Sequence, residues 1–156
     1  MVTYIARDGW TRVPRPATLS PFIGRQLRGL AVHWTGSEKP RGPDPTLAQS
    51  AARLEAYRRM HTGPEPKGRG WSDYAYNAAV DAVGRVFDGR GVDCRSAGNG
   101  DAAVNLSHGA VLLLLGRGDT PTSAMVDALV LWRDAVWLKR WPAATTVVGH
   151  RDLHNT

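Results

Sequence analysis

Apolar runs punctuated by glycine and proline set the outline of this chain. "LAVHW" (residues 30–34) reads as a short buried strand, closed by the polar stretch "TGSEKPRGPDP". Asp44 followed by Pro45 predicts a helix start, and Leu47, Ala51, Leu54, Tyr57 and His61 recur at helical spacing up to about Gly63. "YAYNAAV" and "GRVFDG" read as two strands joined tightly through residues 82–84, and "SAGNGDAAVN" reads as a loop. The continuous run "GAVLLLLG" predicts a central strand, although periodicity alone leaves a buried helix open. Thr120–Pro121 predicts the opening of a second helix with Met125, Ala128, Leu129, Trp132 and Val136 as its apolar stripe, closing near Trp141–Pro142. "ATTVVG" is the last strand. Before residue 30, Pro14, Pro16, Pro21, Gly24 and Gly29 break any long element. Strands alternating with two helices predict an α/β fold, a sheet with helices on its faces.

Composition narrows this picture. The chain has 156 residues, 42% hydrophobic and 22% charged, which suits one domain with its own core. No run of about eighteen apolar residues is present to predict a membrane-crossing helix. The start, "MVTYIARDGW", lacks the basic-then-apolar pattern of a secretory leader. A single cysteine, Cys94, excludes an internal disulfide framework and a cysteine-rich zinc cage. The net charge of +6 is unevenly spread: residues 1–70 carry twelve Lys/Arg against five Asp/Glu, and residues 71–156 carry eight against nine. A basic first half favours anionic partners such as nucleic acid, an anionic membrane or an acidic wall polymer, or else reflects an arginine-rich composition.

Two histidines occupy matching places, His33 near the end of one apolar strand and His150 directly after another. Strand ends of α/β sheets are where ligand sites gather, and imidazole is a common zinc ligand at neutral pH. Two such residues supply half of a tetrahedral site; a hydrogen-bonded core histidine is the alternative for each alone. His150 and His154 are four apart, but Arg151 stands where the helical metalloprotease motif needs glutamate, and a strand precedes them. "HRDLHN" also bears a faint likeness to a metal-dependent nuclease, which remains a remote alternative.

Four stretches in order resemble one family, the type-2 N-acetylmuramoyl-L-alanine amidases, whose fold is shared by phage endolysins and peptidoglycan-recognition proteins. "LAVHWTGS" is similar to the family's first-ligand strand, "GRGWSDYAYNAAVDAVGRVFDGRG" to its most distinctive block, "VVGHRDLHNT" to its second-ligand segment, and "ARDGWTRVPR" to its entry segment. The resemblance implies a central mixed β-sheet flanked by helices. It also implies a single catalytic domain over residues 1–156, with Zn2+ held by His33, His150 and a third ligand. That ligand is usually a cysteine eight residues on, at position 158, so the chain is expected to stop just before it. Asp152, His154 or water are possible substitutes. The resemblance further implies Tyr76 and Thr156 as catalytic residues, and Trp34, Trp71 and Asn77 as substrate contacts; Trp71 and His61 equally suit packing of helix on sheet. "RSAGNGDAAVNLSHG" departs from the family pattern, which puts the substrate contacts in question.

The implied activity is hydrolysis of the amide joining N-acetylmuramic acid to L-alanine in bacterial peptidoglycan. Its alternative is a recognition module that binds the wall without cleaving it. The expected setting is a phage endolysin, held in the host cytoplasm until a holin releases it. It is expected to be a monomer with no nucleic-acid or membrane partner, and with a wall-binding module beyond residue 156.

Overall fold

The five expected strands and one unforeseen strand join in a single sheet. The computed structural model describes residues 2–37 and 44–153. Its strands are β1 (Thr3–Ile5), β2 (Gly29–Trp34), β3 (Ala78–Val80), β4 (Arg85–Asp88), β5 (His108–Leu113) and β6 (Thr146–Gly149). They lie in the order β1-β4-β3-β5-β2-β6. Only the β3–β4 hairpin pairs antiparallel; every other neighbour runs parallel, so the sheet is mixed as expected.

β5 lies inside this order and all six of its residues are buried. Its alternation explains the unbroken apolar run. Val111 and Leu113 join one core with Leu30, Val80, Val86, Met125, Trp132 and Trp137, while Leu112 and Leu114 join a second core with Trp10, Leu54, Tyr74 and Phe87. A strand covered on both faces needs apolar residues at every position.

The first core is roofed by α3 (Ser123–Trp132), which continues through a wider π turn at Arg133–Trp137 into α4 (Leu138–Arg140). Thr122 caps α3 by accepting from the Met125 amide at 3.1 Å, so this helix starts two residues after the expected Thr120–Pro121. The π turn turns Trp137 inward over β5. Gly109 makes room for it, since a Cβ there would lie 2.5 Å from the Trp137 ring.

The second core is covered by α1 (Leu47–Thr62). Its N-cap is Thr46, not the expected Asp44. Thr46 accepts from the Gln49 amide at 3.2 Å and Gln49 accepts from the Thr46 amide at 2.8 Å, a reciprocal pair that outcompetes a lone aspartate. The expected stripe lies on the buried face, with Ala51 and Tyr57 partly buried against the second core. Ser50, Leu54, Arg58 and His61 point inward, while Leu47 is exposed. Polar anchors strengthen that face: Ser50 donates to the buried Asp81 carboxylate at 2.8 Å, and His61 accepts from the Ala75 amide at 3.2 Å.

Two elements went unread in the sequence. β1 is a three-residue edge strand, and α2 (Ala102–Ser107), capped by Asp101, sits within the stretch expected to be loop. No helix among the described residues is long and apolar enough to cross a membrane.

Candidate active site

Parallel register brings the two strand-end histidines together. β2 pairs with β6 so that Val32 stands opposite Gly149, and the next residue on each strand is a histidine. The His33 and His150 rings lie 4.3 Å apart between centroids, tilted by 31°. They line a cleft of about 300 Å³ with Val32, Trp34, Gly149 and Arg151. Both strands end here at their carboxyl ends, where backbone leaves the sheet and side chains of separate strands can converge on a ligand.

Tyr76 enters from the segment before β3. Its ring meets His33 edge-on, with centroids 5.1 Å apart. Burial, with Tyr57 adding to it, pushes the Tyr76 phenol up to about 12. The phenol therefore stays protonated and uncharged near neutral pH.

Behind Tyr76 stands His61, 5.9 Å from it, and Trp71 stacks on His61 at 5.1 Å with 24° between the planes. The Arg69 guanidinium lies 5.6 Å from the Trp71 ring. Trp71 thus packs against the aromatic wall behind the histidine pair. Trp34 is different: it follows His33 in the strand, is half exposed, and lines the cleft.

The orientation of His33 follows from a residue that the sequence reading did not single out. Asn99, fully buried, donates through Nδ2 to the His108 carbonyl at 2.9 Å and to the Ser96 hydroxyl at 3.0 Å. A carbonyl can only accept, so the amide is fixed with Oδ1 toward His33 Nε2, 2.7 Å away. On a neutral ring, His33 Nε2 is then the nitrogen that donates to Asn99. The only sequence signal was the Gly-Asn-Gly within a stretch that departed from the family pattern.

Among solved structures, the chain is similar to the bumblebee peptidoglycan-recognition protein PGRP-SA, with 19% identity and a TM-score of 0.80 over 100% of this chain and 87% of that one. Wild-type Drosophila PGRP-LB is 22% identical with a TM-score of 0.75, covering 100% of this chain and 86% of its own. Peptidoglycan recognition protein-LE, solved in complex with tracheal cytotoxin, a monomeric diaminopimelic acid-type peptidoglycan, gives 17%, 0.77, 99% and 85% in the same terms. The fold is that of the peptidoglycan-recognition proteins. No protein-family model matches the sequence, and no curated protein matches it.

Within this peptidoglycan-recognition fold one expected contact must be corrected. Asn77, read as a substrate residue, is fully buried and fully committed: it donates to the Gly91 and Cys94 carbonyls, each at 2.7 Å, and accepts from the Ala110 amide at 2.8 Å. It ties the loop after β4 to β5 and has no polar atom left for a ligand. Asp152 accepts from the Gly149 amide at 3.0 Å and so closes the turn after β6. Cys94 belongs to a backbone bridge with Pro21, its thiol pushed up by burial. Thr156 and His154 lie outside the described residues.

The donor chemistry fits a metal. One imidazole has its outer nitrogen held by a buried acceptor, as metal-binding histidines commonly do, and a second imidazole stands beside it in an open cleft. Two nitrogen ligands of this kind suit zinc. Among the described residues no third His, Cys, Asp or Glu completes the group.

Proposed function

We propose that this protein is a zinc-dependent amidase of bacterial peptidoglycan, cleaving the bond between N-acetylmuramic acid and L-alanine. The observation that carries this reading is the convergence of His33 and His150 in one cleft with Tyr76 against His33. The two histidines would hold the zinc. When bound, zinc supplies Lewis acidity, polarising a carbonyl and making water nucleophilic near neutral pH.

The protein's own groups do the rest. Tyr76, held neutral by burial, donates its phenol hydrogen bond to the oxygen on which negative charge develops. Trp34 presents an exposed indole beside the pair, a flat apolar platform for a sugar ring or stem peptide. Arg151 places positive charge on the same cleft, and the basic first half of the chain favours approach to an anionic wall.

A second reading follows the fold, which is shared with recognition proteins: a module that holds peptidoglycan in the same cleft and leaves it whole.

The experiment is to incubate zinc-replete protein with purified peptidoglycan and measure newly exposed L-alanine amino termini, alongside sedimentation of the protein with the wall. Release that disappears in His33→Ala and His150→Ala supports the amidase. Co-sedimentation without release supports recognition alone. Neither binding nor release sinks both.

A further inference from the structure

Asn99 is buried in a network whose bonds run in one direction. The Ser96 hydroxyl donates to Asn105 Oδ1 at 3.0 Å or to the His108 carbonyl at 3.1 Å, and the Asn99 backbone amide donates to the same Asn105 oxygen at 3.0 Å. With both Asn99 Nδ2 hydrogens spent on Ser96 and His108, Oδ1 is the only atom it can show to His33. Turning the amide over would set an oxygen 2.9 Å from the His108 carbonyl oxygen, two acceptors face to face with no proton between them. The network ties the loop carrying Asn99 to the start of β5, the strand that pairs with β2 alongside His33. The amide is therefore held by the same sheet that holds the histidine.

We infer that Asn99 is the positioning residue of this site: its side-chain oxygen locks His33 in the Nε2–H tautomer, so that Nδ1 is the nitrogen offered to a ligand in the cleft. This rests on the zinc reading above for the identity of the ligand, but the tautomer itself is a property of the metal-free protein. A neutral imidazole in water exchanges between two tautomers, only one of which presents the correct lone pair. Fixing the ring in advance removes that cost from binding and also fixes the direction from which the ligand must come.

The test is long-range proton–nitrogen correlation NMR on metal-free protein with neutral histidines, together with zinc titration calorimetry. Wild type should show the Nε2–H pattern at His33. Asn99→Leu, similar in volume and without an acceptor, should lose that preference and bind zinc about 10–100-fold more weakly. Ser96→Ala disturbs the same loop but leaves the acceptor in place, and should keep the tautomer. Loop damage alone would make the two variants behave alike.

An Nδ1–H pattern in wild type overturns the inference even if Asn99→Leu fails to fold. So does an unchanged Nε2–H preference in a folded Asn99→Leu. If wild type shows Nε2–H, Asn99→Leu loses it and neither takes up zinc, the assignment of Asn99 stands and the zinc reading falls.

Discussion

Arg7 grips Asp73 with two guanidinium nitrogens, at 2.6 and 2.9 Å, across a sequence separation of 66 residues. Both side chains are buried. Arg7 also donates to the Gly89 and Val13 carbonyls, each at 3.0 Å, so the pair ties the entry segment to the block that carries Tyr76. Asp73→Ala leaves a buried guanidinium without its counter-charge. The expected loss is about 3–5 kcal/mol in urea unfolding. A loss under about 1 kcal/mol would show that the segment is held by its other contacts.

Tyr76→Phe keeps the ring against His33 and removes only the phenol hydroxyl. If that hydroxyl stabilises developing charge, amide cleavage should fall by about 10²–10³ with zinc content per chain unchanged. Equal activity in the variant would remove Tyr76 from the chemistry and leave it as a wall of the cleft.

Tyr74 makes the opposite case. Its hydroxyl is buried and has no hydrogen-bond partner among the described residues, between Trp10, His61 and Tyr76. Removing an unsatisfied group relieves a desolvation cost, so Tyr74→Phe should be neutral or stabilising by up to about 2 kcal/mol. Destabilisation in urea would mean that an ordered water satisfies the hydroxyl.

His61 should make stability depend on acid. Burial, reinforced by Arg69 and Arg90, lowers its imidazole from 6.5 to about 4. The Ala75 amide bond to Nδ1 works in the same direction, because a protonated ring could not accept it. The unfolded chain takes up a proton as pH falls through 6.5, and the folded chain does not until about 4. Stability is therefore whole above that window and is lost as pH falls through it, by at most about 3 kcal/mol. Replacing His61 with Phe should flatten this part of the profile, read from urea midpoints at a series of pH values; an unchanged slope would assign the acid sensitivity elsewhere.

Legibility in the sequence followed local signal strength. β5, β2 and β6 were readable because apolar runs bounded by glycine have few other uses. β1 was not, because "TYI" forms an edge strand of three residues with two of them exposed, too short for alternation to register. On α1 the spacing and the face were legible apart from the exposed Leu47, but the Ser50 and His61 hydrogen bonds that anchor the helix were not, since no apolar pattern reports them. His33 and His150 stood out because each sits at a strand end. Asn77 was misjudged because its burial comes from three backbone groups brought in by a distant loop and β5. Asn99 was silent for a related reason: its effect depends on which way an amide points, and that is decided by a carbonyl and a hydroxyl placed only in three dimensions.

Among the described residues β6 has one strand neighbour, β2, and four residues with which to hold it. Anything clasped jointly by His33 and His150 spans that last ladder, so occupancy of the cleft and fraying of the sheet's margin become one equilibrium. A tight ligand at a hundredfold excess over its dissociation constant would add about 2.7 kcal/mol against opening. The backbone amides of β6 would then exchange with solvent more slowly when the cleft is filled.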